Sequence, residues 1–188
     1  MIPTKEKVLE ILNKHVKEKA NIEHCLMVGY GMKGVSKYLN KNENEQNYWF
    51  AVGTLHDIDI EKYGNDLNKH CIVGEEILTS ENINQEIINI IKSHNDYLKI
   101  ERKKEIENYL YSCDGLTGII RAYVLMRPDK DIQLAKVTSI VKKLKDKTFA
   151  AGVSREEIKL IEKKENIDLN KFIEIILNEI KNNMDFKL

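Results

Sequence analysis

The sequence predicts an all-α fold, and three observations support this class. Only two prolines and nine glycines occur in 188 residues, so few positions would interrupt a helix. Apolar residues recur at spacings of three and four along most of the chain, which is the period of a helix with one buried face. No segment of useful length alternates apolar and polar residues as a half-buried strand would.

Composition limits the class of partner. The hydrophobic fraction of 42% is enough for a sizeable core, and the 32% of charged residues suits helices with solvated outer faces. The formal net charge is zero, so no overall field attracts a nucleic acid polymer or an anionic membrane. No apolar run approaches the roughly 20 residues that cross a bilayer, and the first residues do not resemble a signal peptide. We therefore expect a cytoplasmic protein, and the sequence leaves a homo-oligomer open.

Six helices are expected before Pro128. Pro3 and Thr4 begin the first, which runs to about residue 19, and Asn21 is the expected N-cap of the second, which runs to about residue 39. A polar loop at 40–47 precedes the third helix, which ends between residues 59 and 64. The other three cover about 67–79, 84–95 and 103–126.

Further helices follow Pro128. The first of them covers about residues 132–144 and is followed by a turn at 145–152. A capping box from Ser154 to Glu157 indicates the start of the next helix. The last helix covers about residues 169–182. The whole chain is short enough to form one domain over residues 1–188.

Four of the five histidines interrupt otherwise apolar helical faces, and two aspartates lie beside such faces. A single buried histidine is more often structural, but several buried polar side chains would each need a hydrogen-bond partner. One shared cation would compensate all of them, and it would also offset the cost of burying carboxylates. The sequence therefore predicts a metal site that is formed by His24, His56, Asp57, His70, His94 and Asp114.

The three cysteines have wide spacing and no CxxC motif, which argues against a disulfide framework and for a reducing compartment. Cys25 and Cys71 each follow one of the histidines, and Cys113 precedes Asp114. The favoured interpretation is that all three are small buried packing residues. Direct ligation of a metal by sulfur is the alternative.

The ordered set of residues resembles the HD-domain superfamily of metal-dependent phosphohydrolases. In that superfamily a histidine, a His-Asp pair and a later aspartate lie on successive helices. The stretches 56–63, 93–97 and 114–118 resemble small uncharacterised prokaryotic predicted HD hydrolases, as does the region 145–153. The resemblance covers about residues 20–126. It implies an HD-domain bundle of about five core helices, with a C-terminal helical extension at about 131–188.

The resemblance also implies a ligand set. His24, His56, Asp57 and Asp114 match the ligands of a first metal ion. His70 and His94 match the extra histidines of two-metal subfamilies, in which the carboxylate equivalent to Asp57 bridges the ions. These nitrogen and oxygen donors suit a divalent transition metal (Mn, Fe, Co, Ni or Zn), as one ion or two. The paired His-His-Glu of the cyclic-dinucleotide branch is lacking, which argues against cyclic di-GMP as the substrate.

The implied activity is hydrolysis of a phosphate ester of a small metabolite, with a nucleotide as the favoured class, by water that the metal activates. Asp59 or Glu61 is expected to orient the water or protonate the leaving group. The alternative for these two acids is a solvated loop position or a partner for Lys62.

Two cations are expected to bind the substrate phosphate. Arg121 lies two helical turns after Asp114 on the same face, and Lys145 belongs to a basic run that could fold over the pocket. The alternative for the run is a solvated charged face.

Two other functions remain open from the sequence. The six ligands also resemble those of HD-domain di-iron oxygenases, which use O₂ to cleave carbon bonds. A regulatory module that binds a metal or a nucleotide without turnover is the third interpretation.

Overall fold

The computed structural model describes residues 2–184, and its regular secondary structure is helical throughout. This confirms the all-α class. The α-helices are α1 Lys5–His15, α2 Lys19–Tyr38, α3 Glu43–Leu55, α4 Ile60–Tyr63, α5 Ile72–Ser80, α6 Gln85–Lys92, α7 Glu105–Met126, α8 Val137–Lys145, α9 Arg155–Lys164 and α10 Leu169–Asn183. Short 3-10 helices lie at Asp96–Leu98 and Ile132–Leu134. None of the helices in this part of the chain is long and apolar enough to cross a membrane.

The first two helices differ from the prediction at their junction. Thr4 caps α1 as expected, because its hydroxyl accepts a hydrogen bond from the Lys7 amide at 3.3 Å. However, α1 ends at His15 and α2 already begins at Lys19, so Asn21 is not the N-cap. The amides of Lys17 and Glu18 donate instead to the Glu61 carboxylate, at 2.8 and 2.6 Å. This cap comes from a distant part of the chain, which local sequence cannot reveal.

The loop predicted at 40–47 is shorter than expected. Asn42 and Glu45 form a reciprocal capping box, so α3 begins at Glu43. The helix ends at Leu55, and a tight turn carries His56 to Asp59 before the single turn of α4.

The segment around His70 is a turn rather than the start of a helix. α5 begins at Ile72, five residues later than predicted, and Cys71 has the left-handed backbone angle φ 68°. The cause is Asp59, whose Oδ2 accepts hydrogen bonds from the amides of Cys71 and Gly74, each at 2.8 Å. Helix α6 ends at Lys92, earlier than predicted, which leaves His94 in the following turn.

Helix α2 lies at the centre of the bundle and packs against α3, α7 and α10. The glycines of α2 allow neighbouring helices to pack closely against it. A Cβ atom at Gly31 would lie 2.6 Å from Cys113 Sγ on α7 and 3.2 Å from Ile176 on α10. The C-terminal helix therefore packs directly on the same helix that carries His24.

The C-terminal helices otherwise follow the sequence closely. Ser154 caps α9 by accepting a hydrogen bond from the Glu157 amide at 3.3 Å, and α10 begins at Leu169 as predicted. The helix expected at 132–144 is divided, because a 3-10 turn at Ile132–Leu134 precedes α8 at Val137–Lys145.

Candidate metal centre

The six predicted ligands come together at one end of the bundle, although they are far apart in sequence. His24 lies on α2 and Asp114 lies on α7, and both face the turn that follows α3. That turn carries His56 and Asp57, while His70 and His94 come from the turns before α5 and after α6. All but His24 and Asp114 are buried.

Four of these side chains form a first set of donors. His24 Nε2 lies 3.0 Å from Asp114 Oδ1 and 3.7 Å from Asp57 Oδ2. His56 Nε2 lies 3.3 Å from Asp57 Oδ2 and 3.7 Å from Asp114 Oδ1. Donors about 2.1 Å from a tetrahedral ion are about 3.4 Å apart, so this spacing fits one divalent metal.

A second set of donors shares Asp57 with the first. His70 Nε2 and His94 Nε2 are 3.3 Å apart. Asp57 Oδ1 lies 3.4 Å from the former and 3.5 Å from the latter. Asp57 thus turns one oxygen toward each set, which is the arrangement that a bridging carboxylate requires.

Hydrogen bonds at the other ring nitrogen orient the imidazoles. His56 Nδ1 donates to the carbonyl of Gly53 at 2.8 Å, and His94 Nδ1 donates to the carbonyl of Ile91 at 2.6 Å. A carbonyl oxygen can only accept, so Nδ1 carries a proton, and Nε2 is the nitrogen whose lone pair a metal ion would use in place of a second proton. Metal-binding histidines commonly have this second contact.

The remaining two histidines are oriented by side chains. His70 Nδ1 donates to Asp59 Oδ1 at 2.8 Å. His24 Nδ1 lies 3.5 Å from the hydroxyl oxygen of Thr117, and this hydroxyl donates to the carbonyl of Asp114 at 2.9 Å. The Nε2 atoms of all four rings are therefore free to bind a ligand.

Three of these nitrogens, those of His56, His70 and His94, are poorly partnered by the described residues. His56 Nε2 is buried and has no hydrogen-bond partner. The lone pairs of His70 and His94 face each other across 3.3 Å, which is unfavourable without a proton or a cation between them. A metal ion would satisfy both positions.

The electrostatics of the cluster favour positive charge. Burial alone would lower the pKa of His56, but the Asp57 and Asp114 carboxylates raise it to about 9. Burial opposes charge on His70 as well, and the carboxylates of Asp57 and Asp59 raise its pKa to about 12. The pKa of Asp114 is lowered despite burial by its contacts with His24 and His56. A divalent cation would supply the charge that protons supply here.

A pocket of about 320 Å³ opens onto the centre. Its wall combines the donor residues with apolar, aromatic and acidic side chains. None of the described residues that line it is a lysine or an arginine. The lining residues are Asp57, Ile60, Gly64, Leu67, His70, His94, Asn95, Asp96, Tyr97, Tyr111, Asp114 and Glu157.

Asp59 does not occupy the catalytic position that was expected for it. Its carboxylate is buried, and both oxygens are used in bonds to His70 Nδ1 and to the amides of Cys71 and Gly74. It does not line the pocket. The carboxylate positions His70 and the start of α5 instead of facing a substrate.

Glu61 also lies outside the pocket, and its contacts are with the start of α2 instead of the metal centre. Its Oε1 accepts bonds from the Lys17 and Glu18 amides and lies 3.5 Å from Asn21 Nδ2. These contacts lower the pKa of the Glu61 carboxyl, although desolvation opposes the shift. The residue caps α2.

The two predicted phosphate-binding cations lie elsewhere. Arg121 is close to Glu23, with 3.5 Å between Nη2 and Oε2, and it is not part of the pocket lining. Lys145 ends α8 and lines a separate depression together with Lys147 and Lys159. The helical register predicted that Arg121 lies on the same face as Asp114. It could not show that Arg121 pairs with Glu23.

Sequence patterns missed two groups of residues at the site. Tyr111 donates a short hydrogen bond to Asp96, whose other oxygen accepts from Arg102 Nη1 at 2.8 Å. Glu157 reaches the pocket from α9, and burial together with Asp96 and Asp114 raises its pKa. The one signal in the sequence was that Tyr111 lies three residues before Asp114 on the same helix, which puts the two side chains on one face.

For Cys71 the structure favours metal ligation by sulfur, which was the alternative interpretation from the sequence. Its Sγ lies 3.8 Å from His94 Nδ1, and the three donors His70, Cys71 and His94 are close enough to hold one ion. Burial would raise the pKa of this thiol, but His94 and His70 lower it. By contrast, burial raises the pKa of Cys25 and Cys113. The sequence feature that indicated this role was the position of Cys71 directly after His70.

Fold and site together define an all-α protein with a histidine- and aspartate-rich centre able to hold a metal. The family model of the HD domain matches residues 21–187, and the chain belongs to this family. Comparison with curated proteins and with solved structures gave no match.

Proposed function

We propose that this protein is a metal-dependent phosphohydrolase that hydrolyses a phosphate ester of a small metabolite, with a nucleotide as the favoured class. The observation that carries the proposal is the pair of donor sets that share Asp57 at the base of an open pocket. HD-domain membership supports the same class of reaction.

His24, His56, Asp57 and Asp114 would hold a first ion, and His70 and His94 would hold a second with Asp57 between them. A divalent metal bound there supplies activation of water and compensation of the charge on a phosphoryl group. Asp59 keeps His70 in the orientation that this role needs.

The pocket wall supports a role in orienting the substrate. Because no lysine or arginine is found among its described lining residues, a phosphate would find compensating charge only at the metal centre. The carboxylates of Asp96 and Glu157 disfavour a phosphate anywhere else in the pocket. The scissile group is thereby directed to the base of the pocket.

The rim of the pocket supports a substrate with a flat apolar part. The Tyr97 ring is 60% exposed, and Leu67 is 37% exposed beside Ile60. An exposed aromatic ring next to a metal-binding base can stack on a nucleobase, which is worth about 1–3 kcal/mol per base. The pocket volume of about 320 Å³ suits a small molecule.

The test is a set of hydrolysis assays on metal-loaded protein with nucleoside mono- and diphosphates and simple alkyl phosphates. We expect turnover in the wild type and a loss of at least about 100-fold, with loss of bound metal, in Asp57→Asn. His15→Ala is the matched control, because this histidine pairs with Glu81 away from the centre. Equal turnover in Asp57→Asn and the wild type would refute the proposal.

The shared position of Asp57 also favours a second candidate, a di-iron oxygenase, because two bridged ions are required there too. Iron content and O₂ consumption distinguish the two enzymes. A protein that binds nucleotide but turns over neither kind of substrate would be a binding module.

The three cysteines support a location in a reducing compartment such as the cytoplasm. Cys25, Cys71 and Cys113 are all buried as free thiols. Such a location is part of this proposal.

A further inference from the structure

We infer that the Cys71 thiolate is a ligand of the second metal position, together with His70, His94 and the shared Asp57. This inference rests on metal binding by the proposed centre and does not depend on hydrolysis. It makes the second position a sulfur-containing site, and it assigns that position to Zn²⁺ or Co²⁺ ahead of Mn²⁺ or Mg²⁺.

The distances fit a shared ion. Cys71 Sγ lies 4.0 Å from His94 Nε2, which is the ring nitrogen with the free lone pair. The donor atoms of Cys71, His70 and His94 all lie within 4.8 Å of one another. With metal–sulfur and metal–nitrogen bonds of about 2.3 and 2.1 Å, a tetrahedral pair is about 3.6 Å apart and a linear pair about 4.4 Å. The observed separation lies between these limits.

The turn before α5 is what brings Cys71 to the centre. In a continuous helix the side chains of His70 and Cys71 would point about 100° apart around the axis, so only one could face His94. The left-handed φ of 68° at Cys71 instead directs both side chains to the same ring. Residues other than Gly, Asn and Asp rarely adopt this conformation.

The surroundings of Cys71 differ from those of a packing cysteine. Cys25 and Cys113 belong to the main apolar cluster, and Cys71 does not. Its sulfur is nonetheless buried, and its described polar neighbours are two imidazoles. A buried thiol next to two imidazoles whose Nε2 lone pairs need a cation has the environment expected of a metal ligand.

Sulfur ligation has a consequence for metal choice. Thiolate is a soft donor and favours Zn²⁺ and Co²⁺, whereas Mn²⁺ and Mg²⁺ prefer oxygen donors. The first position, with His24, His56, Asp57 and Asp114, offers only nitrogen and oxygen. The two positions should therefore differ in selectivity.

The experiment is an anaerobic titration of metal-free protein with Co²⁺, followed by absorption spectroscopy. We expect two equivalents of Co²⁺ to bind, with a sulfur-to-cobalt charge-transfer band in the near ultraviolet that grows as the sulfur-containing position fills. Cys71→Ser should lose the band, while the matched controls Cys25→Ser and Cys113→Ser should keep it. In a parallel competition titration with Zn²⁺ and Mn²⁺, Cys71→Ser should lower the preference for Zn²⁺ over Mn²⁺ by at least about tenfold.

Cys71→Gly guards against misfolding, because glycine adopts the left-handed conformation without strain. This variant should fold and still lack the band. The inference is overturned if two bound Co²⁺ ions give no band in the wild type, if only one ion binds, or if the band persists in Cys71→Gly. A wild-type protein with the band but no phosphatase activity would refute the proposed hydrolase and leave the ligand assignment intact.

Discussion

At the scale of single residues, the metal centre depends on the contacts that orient its histidine rings. Each histidine uses Nδ1 to contact an oxygen, and that contact fixes which nitrogen is free. Asp59 is the most connected of these supports, because it holds both His70 and the backbone of the following turn. Its substitution should therefore act on one metal position more than the other.

For Asp59→Asn we expect about 10- to 100-fold weaker binding at the second metal position and little change at the first. The side-chain NH₂ group of asparagine would face N–H groups that now donate to the Asp59 carboxylate, so at least one of these hydrogen bonds would be lost. Isothermal titration of metal-free protein measures both affinities. If Asp59→Asn keeps full metal content and loses only turnover, the original prediction of a catalytic acid is restored.

The histidines also predict a dependence of stability on pH. The pKa of His56 is raised from 6.5 to about 9 in the metal-free fold. This contribution to stability is fully present below pH 6.5 and is lost as the pH rises through about 9. Metal-free protein should therefore lose stability between these values, as measured by urea unfolding with a chelator present.

The metal-loaded protein should show the opposite slope over the same range, because the ion competes with protons for the imidazoles. The comparison is made at fixed free Zn²⁺. Parallel slopes for the two forms would mean that the histidines do not bind the ion.

At the scale of the helices, Glu61 shows how one acid can connect two elements. It follows α3 in the chain, yet it caps α2, which carries His24. Glu61→Ala should lower the free energy of unfolding by about 1 kcal/mol, as loss of an N-cap does, and leave turnover of the folded enzyme unchanged. Glu101→Ala removes an exposed acid from a loop and is the control. A selective loss of kcat in Glu61→Ala would instead support a catalytic role for Glu61.

Helices with strong apolar faces could be predicted from the sequence, and their ends less well. The extents of α7 and α10 follow their apolar patterns and caps closely. The turn at His70 was missed because Asp59 competes for the amides that would continue a helix. Periodicity reports which face is buried, but it contains no information on a hydrogen-bond partner from another helix.

The same limit applies to the site. The histidines and the aspartates were visible because polar residues on apolar faces are costly to bury. Arg121, Glu61 and Lys145 do not line the pocket, and the sequence could not reveal this because charged residues outside the core have no such signal. Cys71 was obscured because a buried cysteine is usually a packing residue.

At the scale of the whole molecule, the C-terminal helix α10 packs on α2, the helix that carries His24. The side chain of Ile176 on α10 is fully buried and lies against Gly31 of α2. We expect Ile176→Ala to lower the free energy of unfolding by about 2–5 kcal/mol through the cavity it leaves. Chemical unfolding measures this cost, with the exposed Asn178→Ala as the control.

The Ile176→Ala variant also tests whether residues 1–188 form one domain. A single cooperative transition, shared by the fluorescence of Trp49 on α3 and by helical circular dichroism, is the expected result. Separate transitions would show that the C-terminal helices unfold on their own.

The lack of lysine and arginine among the described pocket residues has a kinetic consequence. Two carboxylates that are not metal ligands, Asp96 and Glu157, line the path to the metal centre, so an approaching anion is repelled until it reaches the ions. Added salt screens this repulsion. The second-order rate constant for an anionic substrate should therefore rise with ionic strength, whereas a cleft lined by basic residues would show the reverse.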